Sequence, residues 1–422
     1  MVLTDKQKHE LHQAMLEYMM SEGDRFAKSI AAFSEEAVLD TAACDSGKGI
    51  LEKKWTAVIR LQKKVLELEA KVGSRLDGES NRVRPGGGKE DSKGIPKGPS
   101  LSSLSGHRGP VVSVTVHPVY SLVASGSEDC TVKLWDYESA QYERTLKGHT
   151  GAVTALTFSP STGAVLASVS ADMSAKLWDM TTFQCTKTLR GHDHTLSGVC
   201  FSSSGDHLYT CSRDQTVRCW EVASGFCIRT LSGHTEWVKC VTVSMDGALV
   251  ASGSSDHNVI VWRAETGAAI QTLRGHEHVV ESVAIGPLHF SALVSLIGGK
   301  QQEGEGEEKS TGVVKKTDAV YLVSGSRDRT VRLWDPLKAH CLAVYSSHEN
   351  WVRGVLLHST GRYIISCSDD KSVRVFDIKE GRCIRTLSEA HGHFVTSLAA
   401  SNNNSILVTG SVDKTICVWG CN

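Results

Sequence analysis

Residues 166–179 read Leu166-Ala-Ser-Val-Ser-Ala-Asp172-Met-Ser-Ala-Lys-Leu-Trp178-Asp179 and close a unit that opens upstream on Gly148-His149. Seven such units follow one another. Their opening histidines are His107, His149, His192, His234, His276, His348 and His391; their closing aromatics are Trp135, Trp178, Trp220, Trp262, Trp334, Phe376 and Trp419. The histidines are spaced by 42 or 43 residues, except for one step of 72 that carries an insertion. Self-similarity at this period predicts a mainly β fold, a seven-bladed propeller with four strands per blade.

Each unit also places an aspartate six residues before its aromatic, and a hydroxyl four residues before that aspartate. The second and third units carry His149, Ser168, Asp172 and Trp178, then His192, Thr210, Asp214 and Trp220. Ser, His and Asp together invite comparison with a hydrolase triad. An active site is needed once, however, and this set occurs seven times. The expected role is structural, with indole, hydroxyl, imidazole and carboxylate satisfying one another inside each blade. The pattern resembles the WD-repeat family over residues 101–422. Departures from the template are Phe376, which has no indole N–H, Ser347 and Ala390 for the opening glycine, and Arg263 and Gly420 for the final aspartate.

The 422 residues are 40% hydrophobic with a net charge of −1, enough to bury a large core and too neutral for a general attraction to nucleic acid or anionic membrane. No apolar run approaches the 18 or so residues of a membrane span, and the N-terminus has no signal-peptide core. A cytoplasmic protein is the expectation. Thirteen cysteines include no Cys-x-x-Cys pair, and no cofactor or metal set stands out. Cys185, Cys227, Cys341 and Cys383 each lie seven residues after a closing aromatic, and are expected as small buried hydrophobes at one repeated strand position.

Ahead of the propeller, Leu11, Met15, Tyr18 and Met19 take helical spacing up to Gly23, and Phe26, Ile30, Phe33, Ala37 and Val38 continue it. So small a pair cannot bury its apolar face alone, so dimerisation over residues 1–40 is expected; the alternative is a hairpin docked on its own propeller. The segment resembles the Lis-homology dimerisation motif, with two extra residues between Gly23 and Phe33. In the next segment, 41–72, Leu51, Trp55, Val58, Leu61, Val65, Leu68 and Val72 form a heptad seam about 33 Å long, a short coiled coil or an amphipathic helix lying on the propeller. Residues 73–100, rich in Gly, Pro, Ser and charge, read as a flexible linker. The last repeat stops at Trp419, so residues near 100–105 are expected to supply its outer strand. The insertion between Pro287 and Val320 is polar, repetitive and expected to be disordered, leaving from the rim opposite the Gly-His loops.

In this fold the Gly-His loops and the aspartate loops share one face. Three slots are expected to point outward there: three residues after each His, five after it, and the two neighbours of each Asp. Early repeats fill them with Pro110, Val112, Ala152, Thr154 and Ala171; later ones hold Arg213, Glu236, Trp237, Lys239, Arg327, Arg329, Trp351, Arg353, Asp369 and Lys371. Exposed Trp and Arg are the types that dominate interface energetics. The bland alternative is solvated charge with two tryptophans folded under neighbouring loops. The interleaved acids disfavour nucleic acid.

The order of Lis-homology motif, short coiled coil, linker and seven blades resembles the lissencephaly/nuclear-distribution family of dynein regulators. Close local matches include Leu51-Glu-Lys-Lys-Trp-Thr, Glu143-Arg-Thr-Leu-Lys-Gly-His149 and Asn350-Trp-Val-Arg-Gly-Val355. The resemblance implies a non-catalytic homodimer in the cytoplasm, at microtubules and centrosome or spindle pole. Its implied partners are the dynein heavy-chain motor domain, a NudE-type coiled-coil adaptor and, in animals, acetylhydrolase catalytic subunits. The family's dynein-contacting set falls on Arg213, Lys239, Arg327, Trp351 and Lys371, with Lys239 standing where arginine is expected. Two other classes are a ubiquitin-ligase substrate receptor, for which no linking element such as an F-box is seen, and an enzyme, for which no unique nucleophile or metal cluster is seen.

Overall fold

The computed structural model describes residues 94–287, 320–388, 390–401 and 405–421. The expected dimerisation residues Leu11, Met15, Tyr18, Trp55, Val58, Val65 and Leu68 therefore lie outside the described residues, as does the 288–319 insertion. Residues 89–422 form one compact unit. Among the described residues are seven antiparallel four-stranded sheets.

The second blade shows how each repeat folds. Its strands are Val153–Phe158, Val165–Ser170, Ser174–Asp179 and Cys185–Arg190, paired in chain order from the centre of the ring outward. Val165–Ser170 is nearly all buried because neighbouring blades cover both of its faces, whereas Cys185–Arg190 buries only Leu189 fully. This gradient explains the sequence: small and β-branched residues inside, Thr, Lys and Arg outside.

The core lies between blades rather than within one. Ala124, Val132, Leu134 and Leu146 of the first blade meet Val153, Leu156, Phe158, Leu166 and Trp178 of the second in one buried layer. At ~25 cal/mol per Å² of apolar area buried, such layers are the main source of stability. The closing tryptophan presses on the opening glycine of its own repeat. A Cβ on Gly148 would sit 3.1 Å from the Trp178 ring, and one on Gly233 would sit 2.9 Å from Trp262. In the sixth repeat the smaller Phe376 accompanies Ser347.

The ring closes through its two ends. Strand β1 (Lys97–Ser105) pairs antiparallel with β28 (Thr415–Gly420), Ser103 opposite Cys417, and completes the seventh blade. It begins four residues before the boundary expected at 101. Ile95 before it is already buried, packed with Tyr363, Leu387 and Trp419, and Arg385 donates to the Pro96 carbonyl at 3.0 Å.

The four repeated cysteines correct an expectation. Each does stand opposite its closing aromatic, as Cys185 does opposite Trp178, but Cys185 and Cys227 are exposed and Cys341 and Cys383 half-buried. The outermost strand has no neighbour on its far side, so nothing covers that position. The described cysteines are all free thiols.

Candidate functional site: the mouth of the central channel

The framework of the site is a chain of hydrogen bonds repeated around the ring. In the second blade Trp178 Nε1 donates to Ser168 Oγ at 2.8 Å, Ser168 Oγ bonds His149 Nε2 at 2.8 Å, and His149 Nδ1 bonds Asp172 Oδ2 at 2.8 Å. The third repeats it through Trp220, Thr210, His192 and Asp214. Indole can only donate and carboxylate only accept, so the chain runs in one direction through a neutral imidazole. Burial favours that neutral form, holding His149 below its ordinary pKa against the pull of Asp172. Burial alone would raise Asp172, but donation from Ser174, His149 and the Thr150 N–H outweighs it and brings the carboxyl down to about 2. In the sixth blade Phe376 donates nothing, and the chain is reduced to Ser366, His348 and Asp370.

This network pins two loops together. The backbone N–H before each Asp donates to the carbonyl three residues after each His: Arg213 to Thr195, Arg327 to Val279, Asp369 to Trp351. The residue after each Asp takes a left-handed conformation, with φ of 69° at Arg329 and 64° at Lys371.

One slot behaves differently from the sequence expectation. In every innermost strand the ladder skips one residue, a β-bulge, and the skipped positions are Val112, Thr154, Ser197, Lys239, Glu281, Arg353 and Thr396. A bulge re-aims its side chain, and all seven line a central cavity of about 440 Å³. The slot five residues after His thus turns into the channel, not outward.

At the mouth the aromatic and basic residues assemble into two stacks, each across a seam between blades. Arg213 of the third blade lies over the Trp237 ring of the fourth, 4.7 Å from its centroid, with Lys239 at 5.7 Å. Arg327 of the fifth blade lies over Trp351 of the sixth at 4.4 Å, with Arg353 at 5.0 Å. Glu236, Trp237 and Lys371 are exposed; Arg213, Lys239, Arg327, Trp351 and Arg353 are half-buried, less open than expected because they pack on one another. Arg353 holds Asp369 in a bidentate pair, Nε to Oδ1 and Nη2 to Oδ2 both at 2.9 Å, and Arg327 pairs with Glu281. Glu281 was not singled out from the sequence, although it stands five residues after His276 and the slot rule points to it. His194 and His278, whose rings lie 6.4 Å from Trp237 and Trp351, were missed too; an alternating His two residues after the opening one was the available signal. Among the described residues no cluster of His, Cys, Asp and Glu has the make-up of a metal site.

The WD domain, G-beta repeat family matches residues 98–136, 140–179, 183–221, 225–263, 309–335, 339–377 and 381–420, and the PAC1 LisH domain family matches 5–41. The chain is 52% identical to the Lissencephaly-1 homolog of Dictyostelium discoideum over 99% of both chains. It is 51% identical to that of Heterostelium pallidum, again over 99% of both. The chain belongs to the lissencephaly/nuclear-distribution family. A fungal relative, Nuclear distribution protein PAC1 of Coccidioides posadasii, is 39% identical over 97% of this chain and 89% of its own length. Members of this family are non-catalytic WD-repeat regulators, and the sevenfold Ser-His-Asp sets accordingly belong to the scaffold.

Proposed function

We propose that the chain regulates cytoplasmic dynein in nuclear distribution, as a homodimer joined through residues 1–72 whose propellers grip the dynein motor domain. The observation that carries the reading is the pair of cation–aromatic stacks on one face. Arg213, Trp237, Lys239, Arg327, Trp351 and Lys371 combine positive charge with apolar rings, which suits an acidic, partly apolar patch on a motor domain. The whole-length likeness to nuclear-distribution proteins supports the pathway. In this reading the protein works in the cytoplasm on microtubules and at the centrosome or spindle pole, with a NudE-type adaptor as a second partner and acetylhydrolase subunits as a third.

The test is a titration of the full chain against purified dynein motor domain at several salt concentrations. Changing Arg213, Lys239, Trp237 and Lys371 to Ala together should remove binding while the melting temperature holds; unchanged affinity sinks this face. Light scattering on the full chain and on 89–422 should give dimer and monomer. The fragment begins at 89 because Ile95 and β1 belong to the propeller.

A further inference from the structure

The two stacks differ in charge balance. Four cations gather at the mouth: Arg213, Lys239, Arg327 and Arg353. Two carboxylates answer them, Glu281 pairing with Arg327 and Asp369 with Arg353. Arg213 and Lys239 are left without a carboxylate at ion-pair distance among the described residues, and the buried Arg213 Nε has no acceptor. A buried donor with no partner costs about 1–3 kcal/mol, and an anion in the cavity would supply the acceptor. Both side chains line the channel together with Ser197. Two of the channel's threonines are already committed: Thr154 Oγ1 donates to the Leu196 carbonyl at 2.7 Å and Thr396 Oγ1 to the Val111 carbonyl at 2.6 Å. Ser397 Oγ of the seventh blade is also left without a partner, but the cationic donors that lack a carboxylate, Arg213 and Lys239, stand together on the wall made by blades three and four.

We propose that this wall of the central channel is a binding site for a small polyphosphate anion, held by Arg213, Lys239 and the Ser197 hydroxyl. Arginine offers the planar fork that grips two phosphate oxygens, and lysine adds a point charge. The cavity of about 440 Å³ has room for a di- or triphosphate. The bulge residues line a cavity of small-molecule size, which suits a small anion. Glu281 opposes the ligand from the next blade, being the nearest carboxylate to Lys239 in charge effect. The site exists whether or not a motor protein binds the face.

Calorimetric titration of the full-length protein with inorganic tripolyphosphate tests this directly, with no partner present. Saturable binding at one site per chain, weakening with added salt, is expected. Arg213→Gln and Lys239→Met, which keep side-chain volume, should each lose about tenfold or more in affinity, the scale of one charge-assisted contact. Glu281→Gln should instead tighten binding, and Arg190→Ala, on the outer strand of blade two, should leave it unchanged. Melting curves of each variant report folding separately. Absence of saturable binding by folded wild type overturns the proposal, as does undiminished, wild-type affinity in Lys239→Met and Arg213→Gln. A loss in Arg190→Ala as large as in those two would also overturn it, because binding would then be general surface charge.

Discussion

The Arg213–Trp237–Lys239 stack and the Arg327–Trp351–Arg353 stack are built by the same rule. In each, the residue before an Asp in one blade covers the residue three after His in the next, and a bulge residue approaches from the channel. Their surroundings separate them. The second stack sits among Glu281 and Asp369, the latter only 3% exposed, so its cations are held by the protein itself. The first has no such anchors, and Trp237 is 41% exposed. One geometry thus yields a braced stack and an unbraced one, and unsatisfied charge, not shape, marks the one with spare binding capacity.

Acid should act hardest, on the blade framework that carries both stacks. Burial lowers His107, His149, His276 and His391 below 6.5 despite their aspartates, so the folded state resists their protonation. Unfolded histidine takes the proton more readily, so this stability is complete above pH 6.5 and falls as pH drops below it. A further loss should follow between about 3.8 and about 2, where Asp129 and Asp172 are protonated more easily unfolded than folded. Melting temperatures at pH 7.5, 5.5 and 4 should descend; a flat profile from 7.5 to 5.5 contradicts the neutral-imidazole assignment.

Next in size is Arg353→Ala. It strands Asp369 and should cost about 2–4 kcal/mol by urea denaturation, whereas Arg213→Ala, which strands no carboxylate, should stay within about 0.5 kcal/mol. Equal costs would erase the distinction between the stacks. Ring removal should follow the same order more gently. Trp351→Ala should lose about 1–2 kcal/mol and the more exposed Trp237→Ala under about 1 kcal/mol.

The smallest effect concerns Lys239. Burial lowers its pKa, Glu281 pulls it back up, and the three arginines lower it further. The folded state therefore sheds this proton before the unfolded chain does, and stability rises with pH as Lys239 nears its ordinary 10.5. Wild type should gain slightly on Lys239→Met over that window; a loss would mean that Lys239 has an anionic anchor after all.

Seven blades were legible because a 42-residue period, a Gly-His opening and a Trp closing all state the same unit. The contact between Gly148 and Trp178 explains why those two signatures travel together. Direction at the channel was not legible. A bulge is a matter of which backbone groups bond across a ladder, and Lys239 or Arg353 carries no side-chain mark of being skipped. The exposed Cys185 and Cys227 misled for a related reason: apolar character says that a residue tolerates burial, not that a neighbour exists to bury it.

Strand β1 has a consequence in time. Its partner β28 lies more than 300 residues further along the chain. At about 5–20 residues per second of synthesis, the first strand made waits on the order of tens of seconds for the last. Throughout that interval its unpaired edge, and that of the growing row of blades, are open to other chains. The nascent propeller therefore presents an open pairing edge until β28 has been made.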